Sequence, residues 1–156
     1  NQIVDLGPLA RLRAPRQLTL SDNQIRDLEA LSDLHSLQQL RLSNNQIEDL
    51  RPLEQLDGLG ELRLSHNRIR DLRPLAGLYQ LEVLDLGYNQ VQNLDALTSL
   101  HQLEVLHVPA NRIGDLAPLL ELPQLAVVEV WNNPLERTAI TEQIPALQAR
   151  GIQVYW

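Results

Sequence analysis

Leucines recur along this chain in a fixed pattern around evenly spaced asparagines. Asparagine stands at positions 1, 23, 45, 67, 89, 111 and 133, each 22 residues after the last. One copy of the surrounding pattern reads Leu59, Leu62, Leu64, Asn67, Ile69, Leu72, Leu75, Leu78. The next reads Leu81, Leu84, Leu86, Asn89, Val91, Leu94, Leu97, Leu100. An unbroken period of this length marks a chain built from stacked identical units, each unable to bury its apolar face alone.

Spacing within the unit predicts its elements. Leu62 and Leu64 are two apart, the period of a strand with one buried face. A β-branched residue (Ile25, Ile47, Ile69, Val91 or Ile113) follows two places after the asparagine, in a loop. Leu72, Leu75 and Leu78 then recur every third residue, which suits a 3₁₀ or tight helical turn, where i and i+3 eclipse. An α-helix would mix spacings of three and four. Each unit is therefore a short strand, a bend and a short convex turn. All units point the same way, so the strands stack in parallel with right-handed crossovers.

The repeated polar positions fit the same plan. A strand-to-loop bend leaves backbone N–H and C=O groups unpaired, and burying them so is costly. The asparagine amide both donates and accepts, so the ladder asparagines are expected to satisfy the bends of their own and adjacent coils. Asp5, Asp27, Asp49, Asp71 and Asp115, with Asn93 once in the same slot, precede the leucine that opens each convex turn. Such a row could suggest a cation site, but Asp and Asn are preferred caps for exposed helical N–H groups. Pro8, Pro52, Pro74 and Pro118 follow three residues later, in the first turn, where the missing N–H does no harm.

Composition narrows the reading further. Leucine dominates, Phe, Met and Cys are absent, and all 13 basic residues are Arg. Reuse of one branched side chain indicates one packing environment repeated, rather than a mixed three-dimensional core. Without cysteine there are no disulfides, zinc-thiolate sites or cysteine nucleophiles. A net charge of −7 argues against nucleic acid as partner. No apolar run reaches the ~18 residues of a membrane span, so no membrane insertion is expected. The chain shows no signal peptide and no initiator Met and opens mid-pattern. It reads as a mature form or an excised piece, with a cytoplasmic location favoured over an exported one.

The pattern Leu-x-x-Leu-x-Leu-x-x-Asn-x-Ile-x-Asp-Leu-x-Pro-Leu-x-x-Leu, over residues 1–135, resembles the 22-residue class of leucine-rich repeats. Bacterial internalins and phosphatase-regulator-like repeat proteins belong to that class. The resemblance implies an α/β repeat solenoid: a right-handed horseshoe with a concave parallel β-sheet and convex 3₁₀ or short helical turns. It also implies that partners bind the concave strands and neighbouring loops. The segment from Asn132-Asn133-Pro134-Leu135 through Gly151 resembles the closing segment of bacterial repeat proteins.

One leucine-rich-repeat domain over 1–156 is expected, with 1–14 a partial first repeat, 15–135 the repeats and 136–156 a helix-strand cap. In the cap, Ile140, Ile144 and Leu147 predict one apolar helical face, and Gly151 suits a helix C′ position. Pro145 predicts two short helical pieces, and Ile152, Val154 and Trp156 alternate like a last strand. A solenoid end must be covered. No matching cap precedes the first unit: Asn1 already holds the ladder position. Ile3, Leu6, Leu9 and Leu12 would be covered from one side, and Gln17–Leu20 would form an open edge. This reads either as truncation of a monomer or as an edge for self-association.

With the scaffold assigned, recognition is left to the outward strand positions, which align in rows about 4.8 Å apart from coil to coil. One row is Thr19, Arg41, Arg63, Asp85, His107, Glu129, and the row before it is Gln17, Gln39, Glu61, Val83, Val105, Val127. After the strand come Ser21, Ser43, Ser65, Gly87, Pro109, Trp131, then Asp22, Asn44, His66, Tyr88, Ala110, Asn132. The N-terminal half is polar and basic around Arg41 and Arg63. The C-terminal half joins Val83, Val105, Val127, Tyr88 and Trp131 to Asp85, His107 and Glu129. Apolar area flanked by charge is the mark of a protein interface, and Trp, Tyr and Arg are its usual anchors. These ten residues form the candidate partner site.

Competing readings remain for several of them. Adjacent valines also suit strands for their own sake, and Trp131 could lie against the cap instead. Arg63 beside Asp85, and His107 beside Glu129, could be charge pairs of little energetic weight. Asp85, His107 and Glu129 could in principle hold a metal, but they lie on an open face without a second nearby His. His66 is two coils and another row away from His107, and His35 and His101 follow convex leucines. No phosphate loop, nucleophile elbow or paired-carboxylate cleft appears. The expected function is non-enzymatic and cofactor-free binding of a protein partner, alone or as a regulatory part of a larger protein. The alternatives are an exported internalin-like adhesin or a self-associating structural array.

Overall fold

A computed structural model describes residues 2–156; the ladder position assigned to Asn1 lies outside them. Seven short strands form one parallel sheet in chain order: β1 Gln17–Thr19, β2 Gln39–Arg41, β3 Glu61–Arg63, β4 Val83–Asp85, β5 Val105–His107, β6 Val127–Glu129 and β7 Gln153–Tyr155. Their register never slips. Leu18, Leu40, Leu62, Leu84, Leu106, Val128 and Val154 stand in one row, because every coil between β1 and β6 has the same length. On the opposite side of each coil lies the 3₁₀ turn that the three-residue leucine spacing predicts, as at Arg51–Leu53, Arg73–Leu75 and Asp95–Leu97. Between sheet and turns the leucines, with Ile25, Ile47, Ile69, Val91 and Ile113, make a continuous buried core.

The ladder asparagines hold this core together. Asn67 Nδ2 donates to Leu64 O of its own coil and to Leu42 O of the preceding one, both at 3.0 Å. Its Oδ1 accepts the N–H of Ile47, again in the preceding coil, at 2.9 Å. Asn45, Asn89 and Asn111 repeat the arrangement. One buried amide thus serves groups of two coils, as the sequence pattern predicts. Among the described residues no buried side-chain polar atom lacks a hydrogen-bond partner.

The convex acidic row caps backbone N–H groups. Asp49 Oδ1 accepts from Arg51 N at 2.9 Å and Asp71 Oδ1 from Arg73 N at 3.0 Å, and the same contact recurs at Asp5, Asp27, Asn93 and Asp115. The aspartate sits one residue ahead of the leucine at the formal cap position, so its carboxylate reaches the first N–H of the turn. Proline follows within the first two positions wherever it occurs. Side-chain hydrogen bonds from Arg51 and Arg73 hold the Asp49 and Asp71 carboxyls below their ordinary range.

Both ends correct details of the expectation. Pro145 does not split the cap into two pieces. Helical backbone runs unbroken over 137–149, a π-helical turn at Ala139–Gln143 passing directly into a helix, α1, at Ile144–Ala149. Pro145 is the second residue of α1, in the first turn, where its missing N–H does no harm. Ile140 does not join Ile144 and Leu147 on the buried face; it is 39% exposed and Ala139 is buried in its place. The wider π turn makes residues five apart, rather than four, share a face. Gln143 and Arg150 do work that apolar patterning cannot reveal. Gln143 hydrogen-bonds Leu116 N and Asp115, and Arg150 donates to Leu120 O and Leu122 O, closing the last convex turn. Trp156 lies beyond β7 and is 58% exposed, so the strand ends before the alternation does. At the other end Leu6 is buried, whereas Ile3 and Leu12 are exposed and Leu9 and Leu18 are half-buried.

Asn67→Ala leaves these backbone groups without their amide partner and is expected to lower unfolding free energy by about 1–3 kcal/mol. Urea denaturation beside wild type measures it, and an unchanged midpoint would remove the structural role assigned to the amide.

Candidate functional site

The constant register turns the outward strand positions into straight rows. Arg41 pairs with Arg63, Arg63 with Asp85, Asp85 with His107 and His107 with Glu129 as strand neighbours. β7 extends this row with Tyr155 beside Glu129. Val83, Val105 and Val127 form the parallel row and are half-buried side by side. Asp85, His107 and Glu129 are also half-buried, while Arg41, Arg63, Tyr88 and Trp131 are exposed. All ten candidate residues therefore line one face.

Its charges pair differently from the expectation in one place. Arg63 does not reach Asp85; its Nε donates to Glu61 Oε1 at 2.5 Å, and Arg41 Nε donates to the same oxygen at 3.1 Å. Glu61 lies two residues before Arg63 on the same strand face, and its longer side chain reaches both guanidinium groups. Asp85 has a short side chain, and its Oδ1 accepts from Gly87 N at 3.0 Å. Burial pushes the Glu61 carboxyl up, but the hydrogen bonds from Arg63 and Arg41 outweigh it and hold Glu61 below its ordinary value. The second expected pair does form: His107 Nδ1 lies 2.9 Å from Glu129 Oε2. Among the described residues no group of three or more His, Asp or Glu side chains is arranged to hold a metal ion.

An aromatic array crosses the C-terminal half. The His66 ring stacks on Tyr88 with centroids 4.1 Å apart and planes within 11°. Trp131 meets Tyr88 edge to face at 5.9 Å and 76°, although 43 residues separate them in the chain. Only Pro109 and Ala110 occupy the intervening coil, and their low side chains leave the path open. Gly87 fits the same packing, since a Cβ there would lie 3.1 Å from Pro109 Cγ. With Arg63, Asp85, His107 and Glu129 these rings line an open hollow of about 300 Å³. A larger hollow of about 450 Å³, beside Asp71, Arg73 and Asp95, is the groove between successive convex turns and is a by-product of stacking them.

The backbone under these rings is unusual. Asp22, Asn44, His66, Tyr88, Ala110 and Asn132 all have positive φ, from 52° to 61°, which turns the chain from strand into loop just before each ladder asparagine. Asp, Asn and His are comparatively at home there, whereas a bulky residue without a local hydrogen bond to gain is strained. Tyr88, at φ 57° and 45% exposed, therefore occupies a position that folding alone would give to asparagine. His66, which the ten candidate residues leave out, belongs to the same array; its place in this row beside Tyr88 is the sequence signal for that contact.

Two outcomes follow from this geometry. Tyr88→Asn exchanges ring contacts for a residue suited to the left-handed bend, so stability should stay within about 1 kcal/mol of wild type. A loss of several kcal/mol on thermal unfolding would make the ring a structural element. Glu61, whose carboxyl is held below its ordinary pKa in the folded chain, contributes stability at neutral pH that is lost as pH falls through that lowered pKa. Between about pH 5 and pH 2, Glu61→Gln should therefore lose less stability than wild type. Equal losses in denaturant titrations at the two pH values would count against the Arg41–Glu61–Arg63 cluster.

Comparison with known proteins places the architecture. A family model described as "Leucine Rich repeats (2 copies)" matches residues 16–58, 35–77 and 58–99. None of the curated proteins compared with the chain matches it. Among solved structures the chain is similar to internalin C2 of Listeria monocytogenes, at 36% identity and TM-score 0.89, over 100% of this chain and 66% of that one. It is also similar to the internalin inlF of Listeria monocytogenes, at 26% identity and TM-score 0.79, over 99% and 51% of the two chains. The functional domain of InlJ from Listeria monocytogenes, which includes a cysteine ladder, matches at 27% identity and TM-score 0.69, over 84% and 27%. This chain thus spans about two thirds, half and a quarter of those chains, and its own ladder is asparagine with no cysteine at all. The chain belongs to the leucine-rich-repeat family, with internalin-like relatives and the right-handed solenoid fold of that family.

Proposed function

We propose that residues 1–156 act as one leucine-rich-repeat domain whose work is non-enzymatic binding of a protein partner on the concave face. Repeats of this family, and internalin-like relatives, point to a protein-interaction module. The observation that carries the finer reading is Tyr88, a large exposed ring kept at a strained backbone position, where it makes its ring contacts with the exposed side chains His66 and Trp131. Strain persists where function requires it. Around it, Trp131, the valine row and the carboxylates supply the apolar centre and charged rim of an interface, with Arg41 and Arg63 flanking. The trough is open to water, which suits a broad protein surface better than a reaction needing a closed pocket. An acidic net charge disfavours nucleic acid, and no described helix is long and apolar enough to cross a membrane.

The test is capture from a lysate of the organism of origin, using wild type beside Tyr88→Ala/Trp131→Ala at matched melting temperature. A protein retained by wild type and lost with the double variant is the expected result. Identical captures would move the site to the Arg41/Arg63 half, the convex side or the β1 edge.

A further inference from the structure

We propose that the hollow between Tyr88, Trp131, Asp85 and Glu129 receives a guanidinium, an arginine side chain presented by the bound protein. This rests on the concave-face reading above and adds the chemistry of its anchor. Two ring planes at 76° form a corner, and two half-buried carboxylates stand beside it. Arg63 and His107 also line the hollow, the first with its charge held by Glu61 and the second against Glu129. Among the described residues no Arg side chain pairs with Asp85, because Arg63 is committed to Glu61. Glu129 has His107 on one oxygen, leaving the other available.

Any partner that covers this hollow strips water from both carboxylates. An apolar or neutral group would leave that cost uncompensated, and an acidic one would add repulsion. A cation offsets it. Between the two basic side chains, arginine fits better. Its guanidinium is planar, stacks on an aromatic face, is weakly hydrated and matches a carboxylate with paired donors, whereas a lysine ammonium holds its water more tightly. A volume of about 300 Å³ has room for one such side chain.

The probe is N-acetyl-arginine amide, titrated into the full chain and followed by amide and indole chemical shifts. N-acetyl-citrulline amide, the same shape without the charge, is the control. Saturable shifts at Gly87, Tyr88 and the Trp131 indole N–H are expected for the arginine probe alone. Asp85→Asn/Glu129→Gln should weaken that binding about tenfold. Both substitutions keep an acceptor for Gly87 N and for His107, so the fold is preserved. Equal shifts with citrulline, shifts centred on Asp49 or Asp71, or an unchanged affinity in the variant would each overturn the proposal. Capture experiments separate it from its parent reading. A partner kept by Asp85→Asn/Glu129→Gln but lost by Tyr88→Ala/Trp131→Ala docks on this face without an arginine. A partner kept by both sinks the placement of the site on the C-terminal half of this face.

Discussion

The asparagine ladder is the constraint on which the rest of this structure depends. A coil of 22 residues must turn sharply from strand to loop, and that turn points backbone groups into an apolar interior. Each buried amide satisfies carbonyls of two coils and accepts one loop N–H of the coil before it. Because the same amide serves neighbours, it also fixes the distance between them. Adjacent coils cannot slip, the strands stay in register, and outward side chains fall into straight rows. Leucine packing supplies most of the favourable free energy, but packing is non-directional; the ladder decides how coils stack.

Much of this was legible in the chain because periodicity encodes backbone. Strands, the 3₁₀ turns, the capping aspartates and the ladder contacts all follow from spacing and residue type. What escaped depends on reach or on local winding. Ile140 fell on the wrong face because a π turn changes the helical period, and nothing in the apolar pattern marks such a turn. Arg63 chose Glu61 over Asp85 because one carbon of side-chain length brought Glu61 within reach of both guanidinium groups. Gln143 and Arg150 close the last coil through polar contacts made by side chains with no apolar signature. The meeting of Tyr88 with Trp131 needed alignment of the coils and the low Pro109–Ala110 coil between them.

The same economy separates scaffold from surface. Leucines, ladder asparagines and capping aspartates are fully occupied by the fold, so the front rows vary without harming it. Within those rows most choices are neutral for stability. Tyr88 is the exception: its position favours asparagine, as at Asn44 and Asn132, yet it carries the ring that joins His66 to Trp131. The C-terminal half thus combines aromatic area with carboxylates on one face of a sheet whose register is constant.

The most direct test of the ladder is native-state amide hydrogen exchange. The N–H groups of Ile25, Ile47, Ile69, Val91 and Ile113 lie in loops, yet each is bonded to an asparagine Oδ1. If the ladder carries the fold, the three central ones, Ile47, Ile69 and Val91, are protected as strongly as Leu40, Leu62 and Leu84 in the strands and open only with global unfolding. Exchange at the rate of the neighbouring exposed loop amides would contradict the account, leaving leucine packing alone to set the stacking of the coils.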